Sequence, residues 1–347
     1  MQPGKVLRSL HVGVGGRGQW PVQLATPTAG FVPTLLCDPS LTALDDARAA
    51  CGLEPTACHT DLEAALAAAR DHEIDCALVC APTHLHVSLV KRCVEAGVRN
   101  VLVEKGMAPN WADACELVRF IDEHRATVVV AQNYRYQFAP AQIQRWVNDP
   151  ADPHAIGRPH LVVYQDLRVR PEPRNLTFPF ASVWDMSCHH FDLLIAWLGP
   201  VHNMTAQAWG APWSAYAHPN NTTAHITFVG GTHVHYVHTH DSTRPSLLVE
   251  LHGPTGAAVL TEGRLTFNPP PTKNWERPPV EEIPLTGGFG EAGVLEDFYR
   301  YVVDGVEPGI SARRNLEVMA MCQMMVRSVE ERRTVTRGEL PSVQATS

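Results

Sequence analysis

Asp185 and His189 are the first candidates for chemistry, because a carboxylate precedes an imidazole by four residues in a predicted helix over residues 182–199. Residues four apart share one face of a helix, so these two side chains can form a hydrogen bond. A carboxylate that orients an imidazole makes a proton shuttle that works near neutral pH. The alternative is an ion pair on the protein surface that has no part in catalysis.

Three glycines near the start of the chain have the spacing of a phosphate-binding loop. An apolar, β-branched run ends in Gly13, Gly15 and Gly18, and Gly16 and Arg17 complete the candidate loop. The first glycine permits a tight turn, the second permits close approach of a pyrophosphate, and the third lets the following helix pack on the strand. An ordinary strand–turn–helix has the same pattern, so this motif needs support from its surroundings.

Asp38 supplies that support. It follows a predicted strand over residues 31–37 and lies 20 residues beyond Gly18. An acid at this distance hydrogen-bonds the ribose hydroxyls of a bound dinucleotide. Its charge would repel a 2′-phosphate, and residues 39–42 contain no cation to neutralise one. We therefore expect NAD as the cofactor. NADP is less favoured, although Arg17 in the loop leaves NADP as an alternative.

The glycine loop is one of several connections in a regular alternation of predicted strands and helices that runs from residue 5 to about 133. Such alternation predicts a parallel sheet with right-handed crossovers. Ligands bind outside the carboxyl ends of the strands in sheets of this type. Polar residues that follow the predicted strands are Asp38, His84, His86, Glu104, Lys105, Asn133 and Arg135.

The second half of the chain has a different pattern. Strand candidates joined by Gly, Pro and Asn turns occupy much of residues 161–268, and helices over 291–304 and 313–332 close the chain. Short strands with such turns predict a mostly antiparallel sheet. The expected fold is an α/β protein with a parallel-sheet domain over 1–133 and a second α/β domain, built on a large open sheet, over 134–347.

Composition excludes several classes of protein. The 347 residues carry a net charge of −8, which argues against a nucleic-acid partner. No apolar run approaches the ~18 residues that span a bilayer, so no membrane partner is expected. Nine cysteines without C-x-x-C pairs indicate reduced thiols, and no N-terminal signal pattern is present, so we predict a cytoplasmic protein.

A run of histidines, His233, His235, His238 and His240, suggests a metal site. On a strand, His233 and His235 share one face and the other two share the opposite face. No carboxylate or cysteine converges on them by spacing. We favour exposed or interface histidines and predict no metal.

Together these residues resemble the Gfo/Idh/MocA family of oxidoreductases, named for glucose–fructose oxidoreductase, inositol dehydrogenase and a rhizopine-catabolism protein. The motifs occur in the order of the family and extend over nearly the whole chain. They are Gly13-Val-Gly-Gly-Arg-Gly18 with Asp38, Ala81-Pro-Thr-His-Leu-His86, Val103-Glu-Lys105, Asn133-Tyr-Arg135 and Asp185-Met-Ser-Cys-His-His-Phe-Asp192.

The resemblance implies a Rossmann domain followed by an α/β domain whose open antiparallel sheet forms the interface of a homodimer or homotetramer. It implies hydride transfer between NAD and a hydroxyl carbon of a sugar, glycoside or inositol-type polyol. Lys105, Asp185 and His189 match the catalytic residues. His189 or Lys105 would remove the hydroxyl proton, and Asp185 would orient the histidine. The implied cofactor contacts are Gly13, Gly15, Gly16, Arg17, Gly18, Asp38, Ala81, Pro82, His86, Glu104, Lys105 and Asn133; the implied substrate contacts are Lys105, Tyr134, Arg135, Tyr164, Arg168, Asp185 and His189.

Gly106 departs from the family pattern, which usually has proline after the lysine. Glycine reaches strained backbone angles at little cost but does not enforce them, so the sequence leaves the placement of Lys105 open. Arg168 and Arg170 share a strand face, which fits an acidic or phosphorylated substrate or, as we prefer, a solvated edge.

Two other functions fit the same residues. A redox-neutral enzyme would oxidise its sugar transiently with a retained dinucleotide, before elimination, epimerisation or glycoside cleavage. A non-catalytic dinucleotide-binding sensor would not need Lys105, Asp185 and His189, so their presence together counts against it.

Overall fold

The computed structural model describes residues 4–170, 172 and 175–341. The chain forms two compact units. Among the described residues, the first comprises the chain up to Asn133 together with Glu291–Leu316, and the second comprises Tyr134–Gly290 together with residues 317–341. The second unit therefore differs from the expected domain over 134–347, because Glu291–Leu316 groups with the first unit.

The first unit contains a six-stranded parallel sheet in the order β3-β2-β1-β4-β5-β6. Its strands are β1 (Leu7–Val12), β2 (Phe31–Cys37), β3 (Cys58–His59), β4 (Cys76–Val79), β5 (Asn100–Val103) and β6 (Thr127–Val130). The predicted parallel sheet is confirmed. All four residues of β4 are buried, as are the last three of β5 and of β6. Such continuous apolar strands are typical of a parallel sheet that helices cover on both faces.

Helices connect these strands. They are α1 (Gln19–Leu24), α2 (Leu41–Cys51), α3 (Leu62–Asp71), α4 (His86–Glu95) and α5 (Trp111–His124). Ser40, Asp61 and Asn110 each cap a helix by accepting a hydrogen bond from the backbone N–H three residues later. Helix α1 is shorter than the segment available to it. Thr26 is extended because it precedes Pro27, and the residue before a proline disfavours the helical conformation.

The second unit contains a nine-stranded sheet in the order β14-β13-β12-β11-β7-β10-β9-β8-β15, in which only the described β7–β10 pair is parallel. Its strands are β7 (Leu161–Val169), β8 (Val201–Trp209), β9 (Asn221–Phe228), β10 (His233–Thr239), β11 (Asp241–Gly253), β12 (Gly256–Thr261), β13 (Arg264–Asn268), β14 (Glu281–Ile283) and β15 (Val335–Thr336). The predicted, mostly antiparallel sheet is confirmed.

Burial alternates along β10, so only one face of this strand is packed against the interior. His233 and His235 are exposed, whereas Val234, Tyr236 and His238 are buried. This is the alternation expected of an antiparallel sheet with one covered face. It separates the histidine run into two groups, as the sequence predicted.

Four helices remain: α6 (Phe138–Asn148), α7 (Cys188–Leu198), α8 (Glu291–Asp304) and α9 (Ala312–Glu331). The predicted helix over 182–199 begins instead with a five-residue π-helical turn, Val183–Ser187, and becomes α-helical at Cys188. None of the helices in the described part of the chain combines the length and the apolar character that crossing a bilayer requires.

Candidate active site

Two glycines of the loop between β1 and α1 are required by steric contact. A Cβ on Gly13, whose φ is 78°, would lie 2.2 Å from the carbonyl oxygen of Cys80. A Cβ on Gly18 would lie 1.9 Å from the carbonyl oxygen of Gly13. At Gly16, by contrast, a Cβ would meet no atom within 4 Å. The loop therefore has the tight turn and close packing that its spacing predicted. Its backbone at Gly16 carries no side chain and is open, which fits the close approach of a dinucleotide pyrophosphate.

Asp38 lies directly after β2, and its carboxylate is turned toward this loop. Its Oδ2 atom accepts hydrogen bonds from the backbone N–H groups of Val14 (2.9 Å) and Gly15 (3.2 Å). Its Oδ1 atom accepts one from Ser40 (2.9 Å). These bonds fix the carboxylate at the end of β2, where the sequence predicted a contact with ribose.

Glu104, directly after β5, has a buried carboxylate. It joins the glycine loop to Lys105, the next residue along the chain. Its Oε1 atom accepts hydrogen bonds from Arg17 Nε (3.0 Å) and Trp20 Nε1 (2.9 Å). Its Oε2 atom accepts one from the backbone N–H of Lys105 (2.9 Å). Glu104 was predicted as a cofactor contact; in the structure its carboxylate holds protein groups together.

Arg17 also bonds to a second carboxylate. Its Nη2 atom lies 3.1 Å from Glu291 Oε1, which in turn accepts a hydrogen bond from Asn133 Nδ2 (3.4 Å). Burial opposes the charge of Arg17, but the charges of Glu104 and Glu291 raise the pKa of its guanidinium. The Arg17 cation is therefore engaged within the first unit.

His86, the first residue of α4, contacts the carbonyl oxygens of two separate loops. Its Nδ1 atom lies 2.7 Å from the Gly106 oxygen and its Nε2 atom 2.7 Å from the Ala81 oxygen. The peptide bond between Lys105 and Gly106 is cis. Ala81 and Pro82, also predicted cofactor contacts, form the turn between β4 and α4.

In the second unit, Tyr134 packs on His189. Their rings are 4.1 Å apart and nearly parallel, with an interplanar angle of 6°. The Tyr134 hydroxyl accepts a hydrogen bond from Arg168 Nη2 (3.4 Å). Three residues predicted to bind substrate are thus brought together. Asp185 lies in the π-helical turn, and His189 lies in the first turn of α7, almost fully buried.

Arg168 belongs to a buried charged network on the inner face of the second sheet. Asp166 Oδ2 accepts hydrogen bonds from Arg168 Nε (2.7 Å) and His190 Nε2 (2.9 Å). His190 Nδ1 lies 2.8 Å from the Tyr236 hydroxyl. Burial opposes ionisation of Asp166, but the hydrogen bond from His190 and the nearby charge of Arg168 hold the pKa of Asp166 below the usual range.

Asp166, His190 and His238 could in principle hold a metal, because their ligand atoms lie within 4.8 Å of one another. However, Arg168 already occupies the carboxylate oxygen of Asp166 that also bonds to His190. A guanidinium on this oxygen repels a second cation. We therefore interpret the group as an ion-paired network.

A cavity of about 410 Å³ lies in the second unit beside this network. Leu193 and Trp197 of α7 contribute apolar walls, and Tyr164 and Arg168, both predicted substrate contacts, lie on its β7 side. Its charged lining residues are Asp166, Arg168, Arg170 and Glu262, two anions and two cations.

Arg135, another predicted substrate contact, is engaged by a buried carboxylate. Its Nε atom lies 2.8 Å from Asp192 Oδ2, and its Nη2 atom lies 2.5 Å from Asp192 Oδ1. The Asp192 side chain is 1% exposed and that of Arg135 is 12% exposed. This bidentate geometry favours a structural role for Arg135.

Sequence reasoning did not find Trp20, Glu291 or Tyr236 as parts of these networks. Glu291 is separated from Arg17 by 274 residues, so no local spacing points to it. Trp20 lies two residues after Gly18, the last glycine of the loop. This position was the one signal in the sequence that pointed to Trp20.

The sequence matches two family models. Residues 7–132 match an oxidoreductase family with an NAD-binding Rossmann fold, and residues 153–336 match the C-terminal alpha/beta domain of the same family. The chain belongs to the Gfo/Idh/MocA family of oxidoreductases. Its parallel sheet is the NAD-binding Rossmann domain of that family, and the predicted family membership and NAD cofactor are confirmed.

Relatives within the Gfo/Idh/MocA family include sugar dehydrogenases. The chain is 27% identical to a D-apiose dehydrogenase of Paraburkholderia graminis over 339 residues, covering 90% of this chain and 86% of the relative. It is 29% identical to an uncharacterized oxidoreductase of Bacillus subtilis over 126 residues, 35% of each chain. A solved levoglucosan dehydrogenase in complex with NADH has a TM-score of 0.78 at 17% identity, covering 96% of this chain and 99% of that one. At that identity the likeness shows the fold.

Replacing Asp192 with asparagine tests the structural role of the Arg135 pair. Asp192→Asn keeps the side-chain shape but leaves a buried guanidinium without its counter-charge, so we expect the free energy of unfolding to fall by about 3 kcal/mol or more. Chemical denaturation measures this loss. The matched control is Glu282→Gln, which breaks the exposed pair with Arg264 and should cost less than about 1 kcal/mol. Equal, small losses in both variants would contradict a structural role.

Proposed function

We propose that the protein is an NAD-dependent dehydrogenase that oxidises a hydroxyl-bearing carbon of a sugar, glycoside or inositol-type polyol. One observation carries the proposal. The Glu104 carboxylate bonds both to Arg17 of the glycine loop and to the backbone N–H of Lys105. The backbone of the lysine whose amine would transfer the proton is therefore anchored to the loop that would bind the dinucleotide.

The proposed reaction breaks one C–H and one O–H bond. NAD, when bound, supplies the acceptor for the hydride that leaves carbon. Lys105 or His189 accepts the hydroxyl proton, so the alcohol becomes a carbonyl and charge is balanced. Asp185 orients the imidazole and hydrogen-bonds the substrate, and the Tyr134 ring restricts rotation of His189.

Lys105, Asp185 and His189 are not among the lining residues of the cavity, but Tyr134, whose ring stacks on His189, is one of them. The charges around the cavity support a neutral, polyhydroxylated substrate. Two anionic and two cationic side chains line the cavity, and Asp166 already neutralises Arg168. A balanced lining with apolar walls suits ligands that hydrogen-bond without a net charge. The D-apiose and levoglucosan dehydrogenases, named for sugar substrates, support the same class.

We also propose a division of labour and an assembly. Residues 1–133 bind the dinucleotide, and residues 134–347 bind substrate and form a homodimer or homotetramer through the exposed face of the second sheet. None of the nine cysteines, all of which lie in the described part of the chain, forms a disulfide, which supports a reducing, cytoplasmic setting.

The direct test follows NADH absorbance when purified protein is mixed with NAD and a panel of aldoses, glycosides and inositols. Lys105→Ala should lower kcat on any active substrate by about 10²–10⁴-fold, the range for loss of a general acid–base group. Lys273→Ala, at an exposed lysine, is the control and should leave kcat unchanged. Silence over the panel while nucleotide stays bound would favour the redox-neutral alternative; silence without nucleotide binding would contradict the proposal.

Cofactor choice gives a second prediction. We expect the wild type to bind NAD at least about tenfold more tightly than NADP, equivalent to about 1.4 kcal/mol, because Asp38 repels a 2′-phosphate and Arg17 is engaged by carboxylates. Asp38→Asn keeps an oxygen acceptor for the loop N–H groups but removes the charge. The ratio of NAD affinity to NADP affinity should therefore fall in this variant. Isothermal titration calorimetry measures both affinities. Asp45→Asn, on the exposed surface of α2, is the control, and an unchanged preference in Asp38→Asn would refute the electrostatic explanation.

A further inference from the structure

His86 connects two loops at the ends of neighbouring strands. The residue is 1% exposed, and each ring nitrogen lies 2.7 Å from a backbone carbonyl oxygen, Nδ1 from Gly106 and Nε2 from Ala81. The Ala81 contact is local, since it lies within the turn that leads into α4. The Gly106 contact joins segments that are 20 residues apart.

The backbone around Lys105 is held from both sides. The N–H of Lys105 donates to Glu104 Oε2 (2.9 Å), and the carbonyl oxygen of Gly106 faces His86 Nδ1. Glycine at position 106 does not restrict its own φ, whereas proline would. A contact from outside the segment, such as that of His86, therefore limits the backbone on this side of the lysine where the glycine itself does not.

We propose that His86 is a positioning residue for Lys105: it donates a hydrogen bond from Nδ1 to the carbonyl oxygen of Gly106 and thereby fixes the segment that carries the lysine amine. The inference rests on the proposed function, in which Lys105 transfers the substrate proton. It gives His86 a task other than the cofactor contact that the sequence implied. The Ala81 contact serves the turn before α4.

The proton on the imidazole decides which contact is a hydrogen bond. A neutral imidazole carries a single N–H group and can donate to one carbonyl oxygen, whereas an imidazolium donates to both. Burial lowers the pKa of His86, although the two carbonyl oxygens oppose this effect. Either the Nδ1–H tautomer or the imidazolium is compatible with the Gly106 hydrogen bond, and the Nε2–H tautomer is not.

Two amide substitutions separate the contacts. The asparagine amide reaches the position of Nδ1, and the glutamine amide reaches that of Nε2. His86→Asn should therefore keep the Gly106 bond and retain kcat within about threefold. His86→Gln should keep only the Ala81 contact and lose about 10–100-fold in kcat, as expected when a reacting group is misplaced. NAD affinity should change less than twofold in both variants.

A second measurement does not depend on activity. Hydrogen–deuterium exchange followed by mass spectrometry should show faster exchange in the segment around residues 103–107 in His86→Gln than in His86→Asn. Nitrogen NMR of the histidine-labelled wild type, with His86 assigned by its loss in His86→Asn, should find a proton on Nδ1. This observation is made on the unmodified protein, needs His86→Asn only to assign the signal, and stands even when His86→Gln does not fold.

The outcomes are distinct. A proton on Nε2 alone would overturn the proposal, as would a His86→Asn variant that loses as much kcat as His86→Gln or more. If the wild type oxidises no sugar or polyol, the proposed function fails, while the exchange and NMR results still decide whether His86 holds the Gly106 carbonyl.

Discussion

The buried carboxylate of Glu104 is the interaction on which the candidate site depends. Three donors converge on it: the Arg17 guanidinium, the Trp20 indole and the backbone N–H of Lys105. A carboxylate on a side chain that is 5% exposed is tolerated only when charge and hydrogen bonds replace its lost hydration. Because each donor comes from a different part of the site, satisfying this one charge ties the glycine loop to the lysine segment.

The second unit uses a buried carboxylate in the same way. Asp166 pairs with Arg168 and His190, and Arg168 reaches the hydroxyl of Tyr134, whose ring lies on His189. Asp166 thus holds Arg168 in place, Arg168 holds the Tyr134 hydroxyl, and the Tyr134 ring in turn orients the imidazole of His189. Such networks position a reacting group well only when every member is satisfied. Asp166 and Arg168 lie on β7 and His189 and His190 lie on α7, so these two elements carry most of the network.

Much of this could be predicted from the sequence where the determinants are local. The glycine spacing predicted a turn that has no room for a Cβ at Gly13 or Gly18. Alternation along β10 correctly separated His233 and His235 from His238. Side chains that depend on distant partners could not be predicted in this way. Arg17 meets Glu291 across 274 residues, and the partner of Arg135 is a buried aspartate on another element. The π-helical turn at Val183–Ser187 has no distinguishing pattern of residue types either, because its apolar residues also suit an α-helix.

The most direct test of this account is the substitution Glu104→Gln, with NAD affinity and kcat measured on the same preparation. The amide keeps one acceptor oxygen but presents N–H groups to donors, so the tie between Arg17 and the Lys105 backbone should be broken. The account predicts that NAD affinity and kcat fall together, each by about tenfold or more. Glu73→Gln, at an exposed glutamate, should change neither. A Glu104→Gln variant with unchanged affinity and kcat, or with only one of the two reduced, would contradict the claim that this carboxylate couples the loop to the lysine.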